Sequence, residues 1–214
     1  LLGAAVTELD RLGFQVHMHA IGDRAVRNAL DAVAAARAAN GMTDHRHHIA
    51  HVQIVHPDDV PRFAELGAIA NCQPLWAQSD AQMDELTVPF LGKERVDMQY
   101  PFGAMLRSGA RLAGGSAWSV TSANPLEEID VMVNRRNPAK PDAPAFLPEE
   151  RVPLAEALAA FTSGTAHVNH DEASGRLTPG MRADLAVLDR NIFDLDGGTI
   201  ADASDRRRVM FFTQ

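Results

Sequence analysis

Residues 14–26, FQVHMHAIGDRAV, and residues 46–67, RHHIAHVQIVHPDDVPRFAELG, decide how this chain folds. Residues 14–19 read as a strand. Gly22-Asp23 then opens a helix, RAVRNALDAVAAARAA, with Asp23 as its expected cap and Val26, Leu30 and Val33 as its buried stripe. Asn40-Gly41 ends that helix. The second stretch repeats the pattern. Residues 47–52 (HHIAHV) form a strand, His56-Pro57 starts a short helix, and Gly67 terminates it. The strand ends at His19 and His51 are 32 residues apart. An eightfold (β/α) barrel uses about 30 residues per unit.

The same alternation continues outward. Residues 2–12 have apolar positions at helical spacing and stop at Gly13. Residues 68–72 (AIANC) read as a third strand, residues 73–98 as a long polar loop, and residues 99–107 as a helix. Residues 111–115 (RLAGG) read as a fourth strand, 137–148 as a Pro-rich irregular loop, and 154–161 as an amphipathic helix. This order predicts an α/β fold with a parallel sheet and helical crossovers. Four such units make half of a TIM-type (β/α)8 barrel. A small doubly wound sheet of four strands fits the same pattern. The tail differs: residues 174–189 (SGRLTPGMRADLAVLD) carry turn signals and then a β-prone segment, with no long helix after it. The expected division is therefore a half-barrel over 1–172 and part of a small β domain over 173–214, ending in mid-strand at Gln214.

The length of 214 residues allows one sizeable domain, or a domain plus a fragment. The chain opens at Leu1 inside a helical pattern with no starting Met, which reads as a fragment or a trimmed polypeptide. Net charge is −8, and the one tight basic run is Arg206-Arg207-Arg208, so a nucleic-acid binder is not expected. No apolar stretch is long enough to span a bilayer and no signal peptide opens the chain, so no membrane role is expected. Cys72 is the single cysteine, which rules out an intrachain disulfide and fits a reducing, cytoplasmic setting.

Histidine carries the chemical signal. Seven of the nine histidines lie between His17 and His56. In a barrel, chemistry sits at the C-terminal ends of the strands, where His19 and His51 are expected. Two neutral imidazoles from neighbouring strand ends can converge on one divalent ion such as zinc. His17 and His19 share a strand face and make an H-x-H pair. A strand histidine hydrogen-bonded in a core is the competing explanation. His45, His47, His48 and His56 read as structural or solvated, and His167 and His170 lie away from the strand ends. The acidic pairs Asp58-Asp59 and Glu127-Glu128 sit at helix starts, where carboxylates favour the helix dipole. Trp76 and Trp118 fall in strand-end loops, where they either line a pocket or pack beneath the loops.

Five segments in order resemble family 3 amidohydrolases, in the branch that includes N-substituted formamide deformylase. They are VHMHAIGDRAV (16–26), RHHIAHVQIVHPDDVPRFAELG (46–67), NCQPLWAQSD (71–80), GARLAGGSAWSV (109–120) and SGRLTPGMRADLAVLD (174–189). The resemblance implies strands 5–8 of a (β/α)8 barrel plus part of a small β-sandwich. It implies hydrolysis of an amide-type C–N bond in a small molecule, with one or two divalent ions, usually zinc. It makes His19 and His51 metal ligands, with His17 the lesser candidate, and brings Gln73, Trp76 and Trp118 to the substrate. Three departures accompany it. Ala50 stands where the family has an acid before the strand-6 histidine. The first-strand H-x-H motif belongs upstream of this chain. Ala117 stands where the family has the aspartate that is both metal ligand and general base, so this chain alone is expected to be inactive and to hold its metal weakly or not at all. A catalytically inactive protein of the same fold, kept for binding or regulation, is the alternative, and an independent four-strand binding domain without metal is a third. The open sheet edges imply a partner: the rest of the polypeptide, a complementary chain, or a homo-oligomer.

Overall fold

The computed structural model describes residues 1–194 and 199–204. The Arg206-Arg207-Arg208 run and the strand expected at Gln214 lie outside the described residues. The chain divides into two compact units, residues 1–72 with 90–113, and residues 73–89 with the described residues from Gly114 onward.

The first unit opens with helix α1 (Leu2–Arg11), which Gly13 terminates at φ 83°. Strand β1 (His17–Ala20) follows, then helix α2 (Asp23–Asn40), which buries Val26, Leu30 and Val33 as its periodicity predicts. Gly22 rather than Asp23 is the N-cap, and no side chain caps this helix. Asp23 is already inside the first turn; it accepts from the Arg24 N–H at 2.9 Å and pairs with Arg95 at 3.3 Å. Strand β2 (His48–His51), a 3-10 turn (Pro57–Asp59) and helix α3 (Val60–Leu66) come next, with Gly67 in the left-handed conformation as the stop. The acid pair in that turn does more than favour a helix start. Asp59 is buried and ties α2 to α3, pairing with Arg27 and Arg62 at 2.8 Å each.

Strand β3 is Ile69–Cys72, and the four-stranded sheet is completed by β4 (Leu112–Gly114) in the order β1-β2-β3-β4. β1 and β2 pair in parallel with His17 opposite His48 and Ala20 opposite His51; β2 and β3 are parallel as well. The expected polar loop over 73–98 is instead built of short helical pieces: a 3-10 turn (Pro74–Trp76), α4 (Ala81–Leu86), α5 (Val88–Leu91) and α6 (Lys93–Val96). Each is too short to show a 3.6-residue stripe in sequence. Their local signals were caps, such as Asp80, which accepts from the Met83 N–H at 2.8 Å. Helix α7 (Phe102–Arg107) leads into β4.

The second unit is mainly helical. Helix α8 (Pro125–Asn134) has Asn124 as a side-chain cap and Pro125 in its first turn. Helix α9 (Leu154–Ala159) passes through a π turn (Ala160–Gly164) into α10 (Thr165–Val168). The β-prone tail is corrected by the structure: among the described residues, 174–189 holds no strand, only turns and irregular chain. β propensity reflects fit to a pleated, half-buried surface more than an intrinsic backbone preference. Here Leu177 and Val187 are exposed, and the described sheet contains none of these residues.

Gly175 locks this tail against the α9–α10 region. Its φ is +81°, and a Cβ there would meet Ala166 Cβ at 2.8 Å, Ser163 Cα at 2.9 Å and the Thr162 carbonyl at 2.9 Å. Left-handed backbone costs an alanine roughly 1–2 kcal/mol, and overpacking costs about 1–3 more. Gly175→Ala is therefore expected to destabilise the protein by about 2–5 kcal/mol in urea denaturation. A midpoint equal to that of the unsubstituted protein would show that the tail does not pack on α10.

Candidate metal centre

Two pairs of imidazoles stand on the β1–β2 strand pair. The His19 and His51 rings lie edge to face with centroids 4.5 Å apart, and the His17 and His48 rings do the same at 4.7 Å. With metal–nitrogen bonds near 2 Å, two imidazoles on one tetrahedral ion hold their centroids about 5 Å apart. Backbone geometry contributes to the first pair. His51 and Val52 adopt φ values of 70° and 45° where β2 ends. Such angles are uncommon for non-glycine residues and costly for a β-branched one, and strain of this kind concentrates at functional sites. Burial lowers the pKa of His51, and the neighbouring His19 and His17 lower it further. The neutral ring so favoured is the form that ligates a metal. Burial lowers the pKa of His48 too, against the opposing hydrogen bond to the Arg46 carbonyl. The His19–His51 pair is thus spaced to fit a divalent ion, and burial favours the neutral, ligating form of His51.

A second cluster went unseen in the sequence. One ligand atom each from Asp10, His45 and His47 lie within 4.8 Å of one another. Its hydrogen bonds argue for a staple rather than a metal site. The Val16 N–H donates to His47 Nδ1 at 3.1 Å, so that nitrogen carries no proton, and the Nε2–H donates to Asp10 at 2.8 Å. A metal on Nε2 would need the proton on Nδ1, where it would face the Val16 N–H. The sequence signal for this hub was a charged residue on an apolar stripe: Asp10 is buried one turn after Val6 on α1.

The other expected site residues belong to the second unit. Gln73 is buried, and its backbone carbonyl accepts from the Trp76 N–H at 3.4 Å. Trp76 is half-buried, and among the described residues its indole N–H has no hydrogen-bond partner. Trp118 is exposed, with its backbone N–H bonded to Ser116 Oγ at 3.2 Å. Ala117 is half-buried at φ 54°, and its carbonyl accepts from the Val120 N–H at 2.9 Å. Glu128, expected to serve the dipole at the start of its helix, is instead fully buried and accepts from the Leu75 N–H at 2.6 Å.

The sequence profile of the amidohydrolase family matches residues 2–209. The chain belongs to the amidohydrolase family. This amidohydrolase chain is 39% identical over 187 residues to the Protein LONG AFTER FAR-RED 3 of Arabidopsis thaliana, covering 86% of the chain and 31% of that protein. It is 28% identical over 195 residues to the N-substituted formamide deformylase of Arthrobacter pascens, covering 90% of the chain and 34% of that protein. Among solved structures, an uncharacterised metal-dependent hydrolase from Pyrococcus furiosus superposes with a TM-score of 0.68 at 31% identity, over 85% of this chain and 35% of that one. The amidohydrolase chain thus spans about a third of the length of these relatives. Its fold is α/β with a parallel sheet, and among the described residues no helix is long and apolar enough to cross a membrane.

Proposed function

We propose that this chain supplies the C-terminal half-barrel, strands 5–8, of a metal-dependent hydrolase that cleaves amide-type C–N bonds in small molecules. The half-barrel spans 1–172, and 173–214 is a partial segment of a small β-sandwich, to which its strandless stretch 174–189 contributes turns and irregular chain. The facing His19 and His51 rings, 4.5 Å apart at the strand ends, carry this reading. They hold one divalent ion, zinc by preference, with His17 a lesser candidate, and the intact enzyme holds one or two ions. When bound, such an ion supplies Lewis acidity. Gln73, Trp76 and Trp118 orient the substrate. Ala117 marks what is missing, since a methyl group takes no proton and binds no metal. Loss of a positioned general base alone costs about 10²–10⁴ in rate.

The outer strands β1 and β4 need covering, and Leu12, Phe14 and Ile21 beside β1 are exposed. The rest of the polypeptide, a complementary chain or a homo-oligomer covers them in a cytoplasmic setting. The second reading, a catalytically inactive amidohydrolase fold with a binding or regulatory role, is favoured by Ala117 itself.

The chain with zinc and an N-alkyl formamide is expected to show no turnover, and Ala117→Asp in this chain alone should not restore it. That variant should fold at least as well, because aspartate tolerates the left-handed backbone at φ 54° better than alanine. Joined to an upstream half-barrel with an H-x-H strand, Ala117→Asp should give hydrolysis that a chelator abolishes. Absence of hydrolysis there, with the fold intact, would favour the non-catalytic reading. Chelator-sensitive turnover by the chain alone would overturn its expected inactivity.

A further inference from the structure

We propose that His17 and His48 form a second site for a divalent transition ion, separate from the His19–His51 pair and toward the N-terminal ends of the same two strands. Three observations carry it. The rings face each other with centroids 4.7 Å apart and planes inclined by 64°. That spacing is again close to the roughly 5 Å expected of two imidazoles sharing one ion with bonds near 2 Å. The strands fix the pair, because His17 and His48 are direct partners in the β1–β2 register. The third observation concerns the proton. His48 Nδ1 lies 3.1 Å from the Arg46 carbonyl oxygen. A carbonyl only accepts, so Nδ1 holds the hydrogen and, in the neutral ring, Nε2 keeps its lone pair. A ligating histidine almost always has this arrangement, with its other ring N–H given to a carbonyl or carboxylate that fixes the tautomer. His47, one residue away, has the opposite tautomer and donates from Nε2 to Asp10. The two adjacent histidines are thereby divided, one as a structural donor and the other as an available ligand.

The ligand class follows from the donors. Two imidazoles with the remaining positions open to water favour late first-row divalent ions, copper above nickel and zinc, over magnesium or calcium, which take oxygen. His17 is exposed, so an ion can reach the pair from that side, while His48 is buried and holds it from behind. The hydrolase reading rests on the His19–His51 pair and shares with this site only His17, its lesser candidate, so the test below separates the two.

Copper(II) is the probe. Equilibrium dialysis with electron paramagnetic resonance should find two copper ions per chain, each showing nitrogen hyperfine coupling. His17→Gln should remove one ion and leave the other, and so should His48→Gln. His19→Gln with His51→Gln should remove the other ion and keep the His17–His48 signal, so the two sites fail separately. His17 is exposed, so His17→Gln should fold normally, and circular dichroism checks His48→Gln. If copper content is unchanged in His17→Gln, the proposal is wrong. Loss in His17→Gln with no loss in a folded His48→Gln would place the ion on the His17-Met18-His19 chelate and overturn it as well.

Discussion

Asp10→Ala is expected to cost about 3–5 kcal/mol of folding stability, the range for removing one partner of a buried charged network. Asp10 lies on α1 with its side chain out of contact with solvent. It receives hydrogen bonds from Thr43 Oγ1 at 2.8 Å, Asn40 Nδ2 at 2.8 Å, His47 Nε2 at 2.8 Å and His45 Nδ1 at 2.9 Å, with Arg37 Nη1 at 3.5 Å. One carboxylate therefore joins α1 to the C-terminal end of α2, the following loop and the residue before β2. Alanine would leave the buried His47 N–H and the nearly buried Arg37 guanidinium short of an acceptor, and an unsatisfied buried group costs its full desolvation penalty. Asp10→Asn should fall between, since an amide keeps one acceptor and loses the charge. The carboxyl also sets a pH dependence. Burial opposes its ionisation, but the bonds from Asn40, His45, Thr43 and His47 prevail and hold its pKa far below the carboxylate range. A lowered folded pKa stabilises fully above the unfolded value, about 3.9, and that stabilisation is lost as pH falls below it. Urea midpoints at pH 7 and pH 3 would measure both effects. A loss under about 1 kcal/mol at pH 7 would show that the hub does not carry α1.

The sequence made the strands and long helices legible because their signals are local and repeat. Val26, Leu30 and Val33 on α2, and the glycine stops at Gly13, Gly41 and Gly67, are legible without tertiary context. The helical pieces between β3 and α7 were not, because four to six residues hold too little periodicity to outvote their polar composition. The tail over 174–189 misled for the opposite reason, since β-branched and leucine residues mark a strand only where a surface and a partner strand receive them. At the candidate site, strand-end logic drew out His19 and His51, but it could not anticipate that a register of His17 opposite His48 would make a second pair. Buried charges were the least legible. Asp10, Asp59 and Glu128 each sit on a helix or helical turn where a carboxylate normally reads as solvated or as serving the dipole. Only the three-dimensional partners reveal their work.

Glu128 gives the second large effect. Stability is expected to fall by an amount on the order of 3–5 kcal/mol as pH rises from about 4.5 to about 8, and Glu128→Gln should remove most of that fall. The carboxyl is fully buried on α8. One oxygen accepts from the Leu75 N–H at 2.6 Å, and among the described residues the other has no hydrogen-bond partner. A buried carboxylate so poorly compensated is costly, so the neutral acid is favoured. Burial pushes the pKa up to about 8, the Leu75 N–H pulls against it, and the charge of Glu127 adds to the rise. The direction of the pH effect follows. Below about 4.3, the unfolded pKa, both states hold the proton and the full stability is present. Between that value and about 8 the folded chain keeps a proton that the unfolded chain has released, so every unit of rising pH favours unfolding. Above the folded pKa both states are ionised and the dependence ends. Glutamine retains an acceptor for the Leu75 N–H and never ionises, so the variant should match the unsubstituted protein near pH 4.5 and exceed it near pH 8. Urea midpoints across that range decide it; equal slopes for the two proteins would mean that the folded carboxyl ionises as freely as the unfolded one. The consequence reaches the turn that Leu75 shares with Gln73 and Trp76. The carboxylate is a stronger acceptor for the Leu75 N–H than the neutral acid, so amide hydrogen exchange at Leu75 should rise less steeply than the ordinary base-catalysed increase as pH passes about 8, and that added protection should be absent in Glu128→Gln.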